Sequence, residues 1–293
     1  MSHVVKLISP FELMHGDEPF PLDLFGQQFL AQGDSWFSIG ALPPHLTTNV
    51  LAELRLARGA VAVNCAAPGA VLRRMVDTVQ ASSFMNLMSG NVSVRWTAIL
   101  MSGGGNDLIE AIGAPPGAPA DKRLLLTPEE RSGSGAASFL SDAGWQTFSV
   151  YLGAVFTGLM DLRDRGKNRE TPLLMHNYAV LRPRPAPAGP RLGPWLQPAL
   201  ETFQVPEAEW LPVGELLMQR LGALLSDLAA QRMASHPRAG AIQIVDTQAA
   251  PLLVSDPGST GSSGDYVNEI HPTSDGYAKV AACWAPALDA LPD

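Results

Sequence analysis

The chain has 293 residues, 46% of them hydrophobic and 16% charged, with 27 Gly and 25 Pro; it can bury a substantial core and reads as compact and turn-rich, which excludes a disordered protein. A net charge of −8 leaves no basic footprint for phosphate backbones, so nucleic acid is not an expected partner. No apolar run approaches the roughly 20 residues of a membrane span, and residues 1–15 lack a basic region followed by an apolar core, so the expected location is the cytoplasm.

Residues 1–26 mix Pro, Asp, His and aromatics without a sustained period, and read as an irregular arm packed on a domain spanning 27–293. The apolar run Phe29-Leu30-Ala31 predicts a strand ending at Gly33, which hands over to Gly33-Asp34-Ser35-Trp36 and leaves a serine exposed at a strand end. After Pro43-Pro44, residues 49–56 have helical spacing and stop at Gly59. Residues 60–65 are apolar and β-branched, predicting a buried strand that leads through Ala67-Pro68-Gly69 into a helix over 71–80. Residues 94–101 predict the next strand, followed by Ser102-Gly103-Gly104-Gly105-Asn106-Asp107 and a helical start at Leu108. Strand, polar loop and helix recur in order. Such alternation predicts right-handed crossovers and a parallel sheet flanked by helices, with loops at the carboxyl ends of strands supplying the site.

Residues 114–134 read as loop and 136–165 as helical material broken near Gly144, within an insertion near 114–166. A fourth strand is predicted over 172–178, then a Pro-rich segment over 182–198 within a second insertion near 182–212. A helical pattern over 213–233 leads to a fifth strand at 241–246. The Ser- and Gly-rich residues 255–264 predict a mobile loop, and a closing helix is expected over 275–291. Cys65 and Cys283 form no metal-ligand pair and are expected as reduced, buried thiols.

A serine hydroxyl is a poor nucleophile until a base takes its proton. Ser35, Asn106 and His271 each follow a predicted strand, and a parallel sheet sets such loops along one edge, so the three can meet. The combination resembles the SGNH (GDSL-type) hydrolase family: a serine in Gly33-Asp34-Ser35, a later Gly69, an asparagine in Gly104-Gly105-Asn106-Asp107, and a histidine in His271-Pro272, with Thr273 and Gly276-Tyr277 leading into the last helix. The resemblance implies an α/β fold: a three-layer α/β/α sandwich around a mostly parallel five-stranded sheet of flavodoxin-like type. It also implies a serine ester hydrolase, of acyl esterase or lipase kind, acting on a small-molecule ester without metal or organic cofactor. Residue by residue it makes Ser35 the nucleophile and His271 the general base. The Ser35 and Gly69 backbone N–H groups and the Asn106 amide become the oxyanion hole, where each donor is typically worth roughly 3 to 4 kcal/mol.

The family usually has an aspartate three residues before the histidine, where this chain has Asn268. An amide oxygen can accept from the imidazole but cannot stabilise imidazolium by charge, and a turned amide selects the wrong tautomer. In chymotrypsin the Asp-to-Asn change costs roughly 10⁴ in turnover. Three explanations stay open: a Ser-His pair with Asn268 or a backbone carbonyl as orienter, rescue by Asp265 or Glu269, or a protein that has lost strong catalysis. The functional alternatives are carbohydrate O-deacetylation and a non-catalytic ligand-binding protein of the same fold. Asp34 and Asp107 are expected to tie down their loops through backbone N–H groups. His176 either lines the substrate pocket or is structural, and Trp36 and Trp195 are either pocket walls or buried aromatics. His45 and His236 are expected in solvent.

Overall fold

In this computed structural model the described residues are 2–15, 20–38, 48–77 and 79–292; His45 lies outside them. The chain runs β1 (His3–Val4), β2 (Lys6–Ile8), α1 (Pro10–His15), β3 (Gln27–Gly33), α2 (Val50–Glu53), β4 (Arg55–Leu56) and β5 (Ala60–Asn64). It continues through α3 (Leu72–Met75), α4 (Ser82–Ser89), β6 (Ala98–Ser102), α5 (Gly105–Ile112), α6 (Asp142–Arg165) and β7 (Leu173–His176). The last elements are α7 (Gln197–Thr202), α8 (Glu207–Ser235), β8 (Ile242–Val245) and α9 (Ser274–Asp289).

The expected parallel sheet is present with six strands, not five, in the order β2-β5-β3-β6-β7-β8. Every pairing in it is parallel. The added strand lies in the segment read as an irregular arm: Lys6 to Ile8 register with Val61 to Val63 at the sheet edge. Three residues are too few to display a period. The central strands β3, β5, β6 and β7 are buried almost throughout, as apolar runs covered on both faces should be. Helix α6 packs with α3, α4, α5 and α8, while α2 packs with α9, and helices cover both sides of the sheet.

From β3 the chain steps to β5 on one side and then to β6 on the other, after which the order continues outward. That reversal between β3 and β6 is a topological switch point, where a crevice opens beyond the carboxyl ends of the strands. Ser35 lies just past β3 and Asn106 just past β6.

Several local expectations shift. The helical spacing of 49–56 yields only α2, capped by Asn49, because Leu54 turns extended and β4 follows. The helix expected over 71–80 is the single turn α3, and a second helix, α4, starts at Ser82. Gly144 does not break a helix. It sits in the first turn of an uninterrupted α6, where an added Cβ would lie 1.9 Å from the Arg123 carbonyl oxygen. The 255–264 loop is anchored: the buried Arg184 donates to the carbonyls of Ser259 at 3.0 Å and Gly261 at 2.5 Å. Cys65 and Cys283 are free thiols, half-buried and not fully so. Among the described residues no helix is long and apolar enough to cross a membrane.

Candidate active site

Where β3 ends, the chain turns at once. The Asp34 N–H donates to the Ser102 carbonyl at 3.1 Å, and the Asp34 carbonyl accepts from Phe37 and Ser38 N–H at 3.2 and 3.1 Å. The Asp34 carboxylate accepts from the Trp36 N–H at 3.0 Å, tying the turn from inside. Ser35 is therefore held between two anchored residues.

His271 lies in the loop ahead of α9, whose first turn is capped by Thr273 accepting from the Gly276 N–H at 3.1 Å. Its Nε2 is 2.7 Å from Ser35 Oγ and its Nδ1 is 3.1 Å from Asn268 Oδ1. The same Asn268 oxygen accepts from the backbone N–H groups of Ile270 at 3.1 Å and His271 at 2.9 Å. Two obligate donors thus decide which end of the amide faces the turn. With the oxygen fixed there, Nδ1 carries the proton and Nε2 presents its lone pair to the serine hydroxyl. Burial pushes the His271 imidazole down to about 4, so it is neutral at pH 7.

Neither alternative acid meets the imidazole. Asp265 accepts from the Leu253 N–H at 2.6 Å and from Lys279 Nζ at 2.7 Å. Glu269 is buried and accepts from the backbone N–H groups of Arg184, Trp195, Leu196 and Gln197. Its hold on that Pro-rich segment sets the Trp195 ring edge-on to the His271 ring, centroids 5.3 Å apart at 88°.

Gly69 adopts φ +70°, in the left-handed region where glycine bears no Cβ penalty. Neither its N–H nor that of Ser35 has an acceptor among the described residues. Asn106 stands in the first turn of α5, entered through Gly104 at φ +103°. Its Nδ2 donates to the Ala70 carbonyl at 3.1 Å, which moors it to the Gly69 loop. Asp107 secures the same region, accepting from the Leu72 N–H at 2.8 Å and the Tyr151 hydroxyl at 2.7 Å.

Ser35, Asn106, Asp34 and Tyr178 line a small cavity of about 30 Å³, whose other walls are mainly apolar, among them Leu108, Leu181, Leu196, Met218 and Ile270. That is room for a group on the order of one or two water molecules in size. Trp36, nearly buried, also borders it.

His176 is 0% exposed and does not line the cavity, which corrects the reading of it as a substrate-contacting residue. It belongs to a buried polar chain that the sequence did not reveal: Thr247 Oγ1 at 3.2 Å from its Nδ1, and Ser102 Oγ at 2.9 Å from its Nε2. Ser102 Oγ donates to Asp34 Oδ1 at 2.8 Å, and the Tyr178 hydroxyl donates to Asp34 Oδ2 at 2.6 Å. Tyr178 was visible only as the last residue of an apolar run; its contact with Asp34 spans 144 positions. It stands at φ +57°, which costs a non-glycine residue on the order of 1 kcal/mol or more. His236 is exposed, as expected.

No protein-family model matches the chain, and no curated protein matches it in sequence. Solved structures similar to it include an aryl esterase from M. smegmatis, at 14% identity over 91% of this chain and 100% of that one, with a TM-score of 0.48. Another is an acetylxylan esterase from Geobacillus stearothermophilus, at 14% identity, covering 90% and 94% of the two chains, with a TM-score of 0.47. A carbohydrate acetylesterase from Sinorhizobium meliloti matches at 11% identity over 90% and 99%, with a TM-score of 0.44.

Proposed function

We propose that the protein is a serine ester hydrolase of SGNH type. The observation that carries this reading is the hydrogen-bonded series from Ser35 Oγ through His271 Nε2 and Nδ1 to Asn268 Oδ1, at 2.7 and 3.1 Å. Nucleophile, base and orienter within such reach are what acyl transfer needs. Ser35 Oγ attacks the ester carbonyl while its proton passes to Nε2 of His271. The oxyanion is received by the N–H groups of Ser35 and Gly69 and by the Asn106 amide. Collapse breaks the ester C–O bond, and the alcohol leaves with the proton from Nε2. Water then attacks the acyl-enzyme by the same route, returning Ser35 and the acid.

The apolar cavity beside Ser35 and Asn106 is suited to the acyl side of the substrate, and its size favours acetyl over longer chains. That preference keeps O-acetylated carbohydrates among the candidate substrates, alongside simple acetyl esters. A serine-reactive phosphonate probe is expected to label the wild type and leave Ser35→Ala unlabelled. Equal labelling of the two would overturn the assignment.

A further inference from the structure

Beside Ser35, where Asp34 and Tyr178 form part of the cavity wall, lies a polar cluster whose buried carboxylate has no cation beside it among the described residues. Asp34 is 2% exposed, and its partners are the Trp36 N–H and the hydroxyls of Ser102 and Tyr178. Among the described residues the titratable groups around it are Tyr178, Tyr277 from α9, Asp107 from α5, and His176, which reaches it through Ser102. None of them supplies positive charge, since burial holds His176 neutral at about 3.

The hydrogen bonds fix a direction. An ionised Asp34 can only accept, so Ser102 donates to it. The Ser102 oxygen then accepts from His176 Nε2–H, which leaves His176 Nδ1 as an acceptor 3.2 Å from the Thr247 hydroxyl, whose oxygen carries a single hydrogen and also lies 3.2 Å from the Asn177 amide oxygen. The Trp36 N–H and the Ser102 and Tyr178 hydroxyls all donate to Asp34, the residue that precedes Ser35.

Tyr178 does a second thing. Its ring rests on Gly105, where an added Cβ would lie 2.8 Å from the ring, and Gly105 immediately precedes Asn106. One side chain therefore touches the turn that carries Ser35, through Asp34, and the turn that carries Asn106, through Gly105. We propose that Tyr178 is a positioning residue that sets Ser35 and Asn106 relative to each other by way of the ionised Asp34. The inference rests on the reading of Ser35 as nucleophile.

Desolvation pushes the Asp34 carboxyl up to about 6, while the Tyr178, Ser102 and Trp36 hydrogen bonds hold it down. If the ionised carboxylate organises the site, wild-type kcat/KM is lost as pH falls through about 6, well above the His271 value of about 4. Removing a donor raises the Asp34 value further, so the acid limb moves to higher pH.

The test is Tyr178→Phe, which keeps the ring on Gly105 and deletes only the hydroxyl, with Ser102→Ala as a second variant removing the other hydroxyl donor. In each, kcat is expected to fall on the order of 10-fold with KM within about 2-fold, and the acid limb to shift upward. Should Tyr178→Phe fail to fold, Ser102→Ala carries the same two readouts. Unchanged kcat and pH profile, or a fall in kcat without a shift of the limb, overturns the proposal. Phosphonate labelling of the wild type separates the two readings: an unlabelled wild type sinks the nucleophile assignment and this one with it. A labelled wild type with indistinguishable variants sinks this one alone.

Discussion

The side-chain oxygen of Asn268 lies 3.1 Å from Nδ1 of His271 and also takes the His271 backbone N–H at 2.9 Å. A neutral amide therefore faces the imidazole, with its orientation dictated by the backbone. It supplies the tautomer and the ring angle that the proposed general base needs, and it withholds the negative charge that would favour imidazolium.

Replacing Asn268 by Asp introduces that charge. A carboxylate beside the ring favours the protonated form, so the His271 imidazole is expected to titrate above its present value of about 4, as followed by NMR of the ring protons. Esterase turnover at pH 8 should be preserved or raised. A large loss, joined by inactivation in Asp265→Ala, would return the third role to Asp265.

Asn106→Ala removes one side-chain donor from the proposed oxyanion hole and leaves the Ser35 and Gly69 N–H groups in place. Loss of a single such donor typically lowers kcat by roughly 10² to 10³. Steady-state kinetics with p-nitrophenyl acetate should show that fall with KM little changed. A compensating rise in KM with kcat intact would assign Asn106 to substrate binding.

Acyl length is the third expectation. With about 30 Å³ beside Ser35, kcat/KM should drop by about 10-fold or more between acetyl and butyryl p-nitrophenyl esters, since overfilling a packed site forces its walls apart. Met218→Ala, which removes one cavity wall, should restore butyryl hydrolysis. Equal rates across acetyl, butyryl and octanoyl esters in the wild type would refute the cavity as the acyl subsite.

Gly144→Ala tests the packing of α6. Alanine suits a helix better than glycine by propensity, yet its Cβ would lie 1.9 Å from the Arg123 carbonyl oxygen. The clash dominates, and equilibrium denaturation should register a loss of about 3 kcal/mol or more. A stabilised variant would contradict the close approach.

The central sheet was legible because β3, β5, β6 and β7 are apolar runs buried on both faces, each followed by a polar loop. The edge strand β2 was not, because Lys6, Leu7 and Ile8 pair with a strand more than fifty positions later and carry no period of their own. At the site, Ser35, Asn106 and His271 could be read from short motifs. Which atom of Asn268 faces the ring could not, since the Ile270 and His271 amides decide it only once the turn is folded. Tyr178 and Glu269 were equally opaque: each acts on backbone or carboxylate groups brought near by topology.

The Ser35–His271 hydrogen bond joins positions 236 apart. Contacts of such separation form late, because the loop-closure entropy between them must be met before they return any stability. Circular dichroism reports the helices and strands and is silent on whether this hydroxyl and imidazole have met. Recovered esterase activity would then time the docking of the last helix and its preceding loop, making turnover a more demanding gauge of the native state than circular dichroism.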